Sequence, residues 1–144
     1  TLADRIDECR QRHLRQAPEG ADGPAVLALT AWVSERGRGT PVTPDPRLAD
    51  WVGRGRAVWT PRFGQLDLAC AHCHAAIPQA HPTGAPTYRL EWQGAGSLNR
   101  RMRGCLNGVR AEPFAPQADE WRALEAFLMQ RAAGLPWEGV ALRP

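Results

Sequence analysis

Cys70-Ala71-His72-Cys73-His74 decides how this 144-residue chain is read. Two cysteines flank a pair of residues and a histidine follows at once. That spacing lets both thiols add to the two vinyl groups of one haem and sets the His74 imidazole beneath the iron as proximal ligand. The competing reading is a zinc site using Cys70, Cys73 and two of His72, His81 and Cys105. It lacks a second paired-ligand cluster in the sequence, so one covalent haem c is the stronger reading. Attachment of haem to such a motif takes place outside the cytoplasm, which predicts a periplasmic protein.

Working outward, helical periodicities surround the motif. On its N-terminal side, Asp45-Pro46 reads as an N-cap with Pro at the first helical position, and Leu48, Trp51, Val52, Gly55, Val58 and Trp59 form a stripe that Pro61 and Gly64 end. Earlier, Leu2, Ile6, Cys9 and His13 share one helical face, and Pro24 opens a helix whose predicted buried stripe is Val26, Leu29, Trp32 and Val33. After the motif the chain reads as loop to Gly96, with Leu90 to Gln93 briefly extended. Ser97 is an N-cap for a helix from Leu98 to about Val109. A last helix from about Ala118 to Ala133 buries Trp121, Leu124, Phe127 and Leu128, and Gly134 caps it. The pattern predicts an all-α, cytochrome c-like haem domain over residues 45–144, preceded by an N-terminal helical extension over 1–44.

Composition narrows the function. The chain is 43% hydrophobic and 23% charged, enough for a packed core, and its 14 Gly and 13 Pro suit short helices joined by loops. Lysine is absent. Its absence reads first as genomic codon bias and second as a surface suited to oxyanions, which Arg grips bidentately. The net charge of +3, with Arg dispersed except at Arg100, Arg101 and Arg103, argues against a nucleic-acid interface. No apolar run has membrane-spanning length. The chain begins at Thr1 without a signal peptide, which reads as a processed or trimmed form.

The distal ligand separates the remaining functions. A Met sulfur marks an electron carrier, and the candidates are Met102 and Met129. Met129 adjoins Leu128 in an amphipathic helix and reads as packing. Leu98, Met102, Cys105 and Val109 share one face, so periodicity leaves Met102 and Cys105 open. Arg101 stands one turn before Cys105, where a guanidinium favours a thiolate and offers a fork to an oxyanion. The alternative is a solvated Arg face beside a small buried cysteine.

The run Pro86-Thr87-Tyr88-Arg89-Leu90-Glu91-Trp92-Gln93, then Gly96-Ser97-Leu98-Asn99-Arg100-Arg101, Cys105 and Val109-Arg110-Ala111-Glu112-Pro113, resembles the SoxA subunit of the SoxAX cytochromes. Gly64-Gln65-Leu66-Asp67-Leu68 and Gly134-Leu135-Pro136 extend the resemblance over nearly the whole chain. It implies a haem enzyme subunit, an L-cysteine S-thiosulfotransferase, that pairs with a SoxX-like c-type cytochrome. Such a subunit oxidatively joins thiosulfate to a cysteine of a SoxYZ-like carrier protein. It further implies His74 and Cys105 as the iron ligands, Cys105 as the catalytic group, able to carry a persulfide, and Arg101 as the thiosulfate-binding residue.

The sequence departs from the family in two ways. Many members carry a leading module with its own haem, of which nothing is visible before Thr1, and residues 1–44 read as its remnant or link. Cys9 resembles a cysteine that ligates a first haem or forms a disulfide in other members, and neither partner is present. The loop from Ala75 to Gly84 is also short. The rivals are an electron-transfer cytochrome c with Met102 on iron and a thiosulfate dehydrogenase forming tetrathionate.

Overall fold

The computed structural model describes residues 1–75 and 84–143; the segment Ile77 to His81 lies outside the described residues. Helices α1 (Leu2–Leu14), α2 (Pro24–Arg36), α3 (Ala49–Trp59), α4 (Cys70–His74), α5 (Leu98–Gly108) and α6 (Asp119–Arg131) follow the order the periodicities predict. A 3-10 turn at Pro46–Leu48, capped by the Asp45 carboxylate accepting from the Arg47 N–H at 2.9 Å, leads into α3.

The all-α expectation is corrected by a small sheet. Strand β1 (Thr87–Arg89) pairs antiparallel with β2 (Gly94–Gly96) and parallel with β3 (Ala141–Arg143), giving the order β2-β1-β3. Three-residue strands are too short to show a period. Leu90 to Trp92, read as extended, is a 3-10 turn that Gln93 closes with φ of 47°.

By spatial proximity the chain forms two compact units. The first comprises Thr1–Thr40, Thr83–Arg100 and Pro136–Pro144; the second comprises Pro41–Pro82 and Arg101–Leu135. Two segments distant in sequence, Thr83–Arg100 and Pro136–Pro144, return to the first unit. They are held by backbone and indole hydrogen bonds that leave no sequence pattern: the Ser97 N–H donates to Asp22 Oδ1 at 2.9 Å, and Trp137 Nε1 donates to the Ser34 carbonyl at 2.9 Å.

In the first unit two predicted apolar stripes are corrected. Helix α1 buries Asp7 and Arg10, while Cys9 and His13 are exposed. The Asp7 carboxylate accepts from the backbone N–H groups of Glu19 and Gly20 and from Arg10, and Arg10 in turn donates to Glu19. This network folds the turn after α1 back onto the helix; a buried charge is tolerable only when paired this fully. Helix α2 buries Val26, Thr30 and Ser34, whereas Leu29, Trp32 and Val33 are 42%, 60% and 39% exposed. The stripe was placed on the wrong flank because α2 is apolar on most of its circumference, which blunts any periodic signal.

The second unit holds the predicted core. Trp59, Leu106, Trp121, Leu124 and Phe127 are buried together, with Val52, Val58, Phe63, Phe114 and Leu128 packed around them. Trp121 is 1% exposed, and its Nε1 is satisfied by the Ala115 carbonyl at 2.8 Å. Phe114 meets its ring edge-on at 5.1 Å, a favoured aromatic geometry. Helices α3 and α6 approach most closely at Gly55, where an added Cβ would collide with the Ala123 carbonyl oxygen and lie 2.6 Å from Phe127 Cβ.

Two glycines of α3 should therefore respond with opposite sign. Gly55→Ala should lower stability by about 1–3 kcal/mol through overpacking. Gly53→Ala, which meets no atom within 4 Å, should raise it by about 0.5–1 kcal/mol through helix propensity. Thermal unfolding of the two variants measures both effects; equal shifts would contradict the α3–α6 contact.

Candidate functional site

The motif lies on α4, a helix of little more than one turn, and the chain entering it is tightly organised. Phe63 and Leu68 form an isolated antiparallel bridge: the Phe63 N–H donates to the Leu68 carbonyl at 2.9 Å, and the Leu68 N–H returns to Phe63 at 3.3 Å. Gly64 turns this hairpin with φ of 66°, and a Cβ there would strike the Val109 carbonyl. The Leu66 and Gln65 N–H groups donate to the carbonyls of Val109 and Arg110 at 3.3 and 3.4 Å. The hairpin thus docks the approach to α4 against the end of α5, the helix that bears Cys105.

The side chains of α4 have distinct environments. Cys70 and Ala71 pack against the Trp59–Phe127 core, while Cys73 is exposed. Burial pushes the Cys70 thiol up, and the neighbouring Cys105 and Cys73 sulfurs push it further. Among the described residues no cysteine is in a disulfide. His72 points its Nδ1 back to the N-terminus of α4, where it accepts the Ala69 N–H at 2.9 Å. This bond removes one ring nitrogen from the zinc reading. Among the described residues no group of three or more His, Cys, Asp or Glu side chains is gathered as a metal site, and His81 lies outside them.

His74 ends the helix. Its imidazole is half-buried, 5.9 Å from the Trp59 ring at a 45° tilt. Burial, and then the Arg131 charge, hold its basicity below the ordinary imidazole range. The neutral ring this favours is the metal-binding form. Arg131 Nη2 donates to the His74 carbonyl at 3.2 Å, and its guanidinium lies 5.0 Å from the Trp59 ring centroid. The sequence marks Trp59 only as a member of the α3 stripe and gives no signal for Arg131. Arg131 is 57 positions from His74, and only the packing of α6 brings them together.

On α5, the Ser97 hydroxyl accepts the Arg100 N–H at 3.1 Å, as its predicted cap role requires. Arg100 is stacked over Trp92 at 4.4 Å, which separates it from Arg101 in function. Arg101 is half-buried with its Nε fully buried, so it is not a solvated face residue. Cys105, one turn later, is exposed. Met102 packs against the Trp59–Leu106 core, and Met129 is half-buried on α6. Leu106 is the buried residue of α5 that the predicted face omitted.

The donor set fits covalent haem. Two thiols stand one helical turn apart, an imidazole of lowered basicity ends the same turn, and an aromatic wall lies beside it.

No family model matches the chain. It is 36% identical over 96% of its length to an L-cysteine S-thiosulfotransferase subunit SoxA of Pseudaminobacter salicylatoxidans, and 36% identical over 99% to that of Allochromatium vinosum. Those alignments cover 53% and 57% of the relatives, so the chain spans about half the length of the curated relatives it matches. A crystal structure of SoxXA from P. pantotrophus superposes with a TM-score of 0.90 at 28% identity, over 99% of this chain and 59% of the other.

If Cys70 and Cys73 hold haem covalently, intact mass of the purified protein should exceed the polypeptide by one haem, and the excess should survive denaturation. A Cys70→Ala, Cys73→Ala double variant should lose it. A denaturation-labile zinc mass would contradict the haem assignment.

Proposed function

The chain belongs to the SoxA family, and on that premise we propose that it is the subunit of a periplasmic L-cysteine S-thiosulfotransferase that joins thiosulfate to a cysteine of a carrier protein. The supporting observation is the Phe63–Leu68 hairpin, which docks the approach to the C-x-x-C-H helix α4 against the end of α5, where Arg101 stands one turn before Cys105. In this reading Cys70 and Cys73 anchor one haem c, and His74 and Cys105 ligate its iron. Bound there, the haem supplies one-electron acceptor chemistry.

The remaining work falls to the chain's own residues. Arg101 binds the sulfonate oxygens of thiosulfate and offsets their charge; its planar fork suits an oxyanion better than an ammonium would. The Cys105 thiolate takes the sulfane sulfur, forming an S–S bond and releasing two electrons. The carrier thiolate then attacks that sulfane sulfur and expels Cys105 as thiolate. The net change is R–SH + S2O3(2−) → R–S–S–SO3(−) + H+ + 2 e−, with a SoxX-like c-type cytochrome receiving the electrons. A persulfide on Cys105 belongs to the same sulfur chemistry. Among the described residues no helix is long and apolar enough to cross a membrane.

The electron-carrier alternative needs Met102 on iron, yet that side chain is engaged in core packing. Cys105→Ser should change the oxidised absorption and electron-resonance spectra, and Met102→Leu should leave them nearly intact. A Met-sulfur charge-transfer band in the wild type would reject the assignment.

Arg101→Lys keeps the charge but loses the fork. It should cost about 1.5–3 kcal/mol, roughly tenfold to a hundredfold in kcat/KM, with little spectral change. Arg103→Lys is the control. Equal small effects at both positions, in assays containing partner and carrier, would show that the substrate site is elsewhere.

A further inference from the structure

Three helix ends meet at His74. Helix α4 ends at His74 itself, α3 ends at Trp59, and α6 ends at Arg131. Trp59 is 8% exposed and held by Phe127 at 5.4 Å, so its ring is a fixed wall. Arg131 spans the gap, with Nη2 on the His74 carbonyl at 3.2 Å and its guanidinium 5.0 Å from the Trp59 ring. The carbonyl it satisfies is one of those an α-helix leaves without an intrahelical partner. A cation there also complements the negative end of the helix.

Some arginines of this unit are held in ion pairs. Arg54 pairs with Asp119, Arg62 with Asp67 and Arg122 with Asp119. Among the described residues no carboxylate pairs with Arg131. Its described partners are the His74 carbonyl and the Trp59 ring, neither of which carries an opposing charge, and it lies exposed near the imidazole read as the proximal ligand.

We propose that Arg131 is a positioning residue that fixes the His74 end of α4 and, through its positive charge, holds the reduction potential of the haem up. The argument rests on the reading of His74 as a haem ligand. An oxidised haem carries one more positive charge than a reduced one, so a fixed cation nearby disfavours oxidation. A thiolate ligand acts in the opposite direction by pushing electron density onto iron. Arg131 thus offsets part of that effect and keeps the haem able to accept an electron.

Spectroelectrochemical titration of the purified haem-loaded protein tests this. Arg131→Gln, which removes the charge but keeps a donor, should lower the midpoint by roughly 30 mV. That is a threefold change in the oxidised-to-reduced ratio at fixed poise, at 59 mV per tenfold for one electron. Arg131→Lys should keep the wild-type midpoint. Arg54→Gln, which removes a charge already paired with Asp119, should also leave it unchanged. An unmoved midpoint in Arg131→Gln, or an equal fall in Arg54→Gln, would overturn the proposal. So would a fall in Arg131→Lys as large as in Arg131→Gln; if the Gln variant does not fold, any fall in the Lys variant decides against the proposal and an unchanged midpoint supports it. The comparison needs only His74 on iron. A wrong assignment of Cys105 would appear separately, as unchanged spectra in Cys105→Ser, and would leave the Arg131 result standing.

Discussion

Gly55 lets α3 approach α6 until the Ala123 carbonyl occupies the space a Cβ would need. That approach sets Phe127 at a tilt against Trp59 and brings the last residue of α6, Arg131, onto the same indole. With both helices fixed, the short α4 has an aromatic wall for His74 and a donor for its last carbonyl. A helix of five residues has little stability of its own, since nucleation is costly and few intrahelical bonds follow. Its geometry is borrowed from the longer helices around it and from the Phe63–Leu68 hairpin that docks on the end of α5.

The legible parts of the sequence were those with either a covalent motif or a clean apolar period. Cys70, Cys73 and His74 stand out by their spacing, and α6 is legible in Trp121, Leu124 and Phe127, all buried as expected. Helix α2 was misread because it is apolar on most faces, so period could not say that Val26 goes inward and Trp32 outward. Helix α1 was misread because its inward residues are Asp7 and Arg10, a paired network that hydrophobic periodicity cannot see. The sheet escaped because its strands are three residues long and pair residues as distant as Thr87 and Ala141.

The candidate site divides in the same way. Cys105 and Arg101 were visible as neighbours one turn apart on α5, whereas the choice between Cys105 and Met102 was not visible in the periodicity of the residues. Packing bears on it: Met102 is engaged with the core around Trp59 and Leu106, and Cys105 is exposed next to a partly buried guanidinium. Arg131 had no local signal at all, because its role depends on a contact between α6 and α4 that only the folded chain makes.

If the site acts as proposed, its product is a modified carrier cysteine. The most direct test incubates the protein with a SoxX-like cytochrome, thiosulfate and a carrier protein, and weighs the carrier by mass spectrometry. The account predicts one S-thiosulfonate on the carrier cysteine for every two electrons delivered, with none when this chain is left out. Tetrathionate formed at the same electron count, with the carrier unmodified, would contradict it.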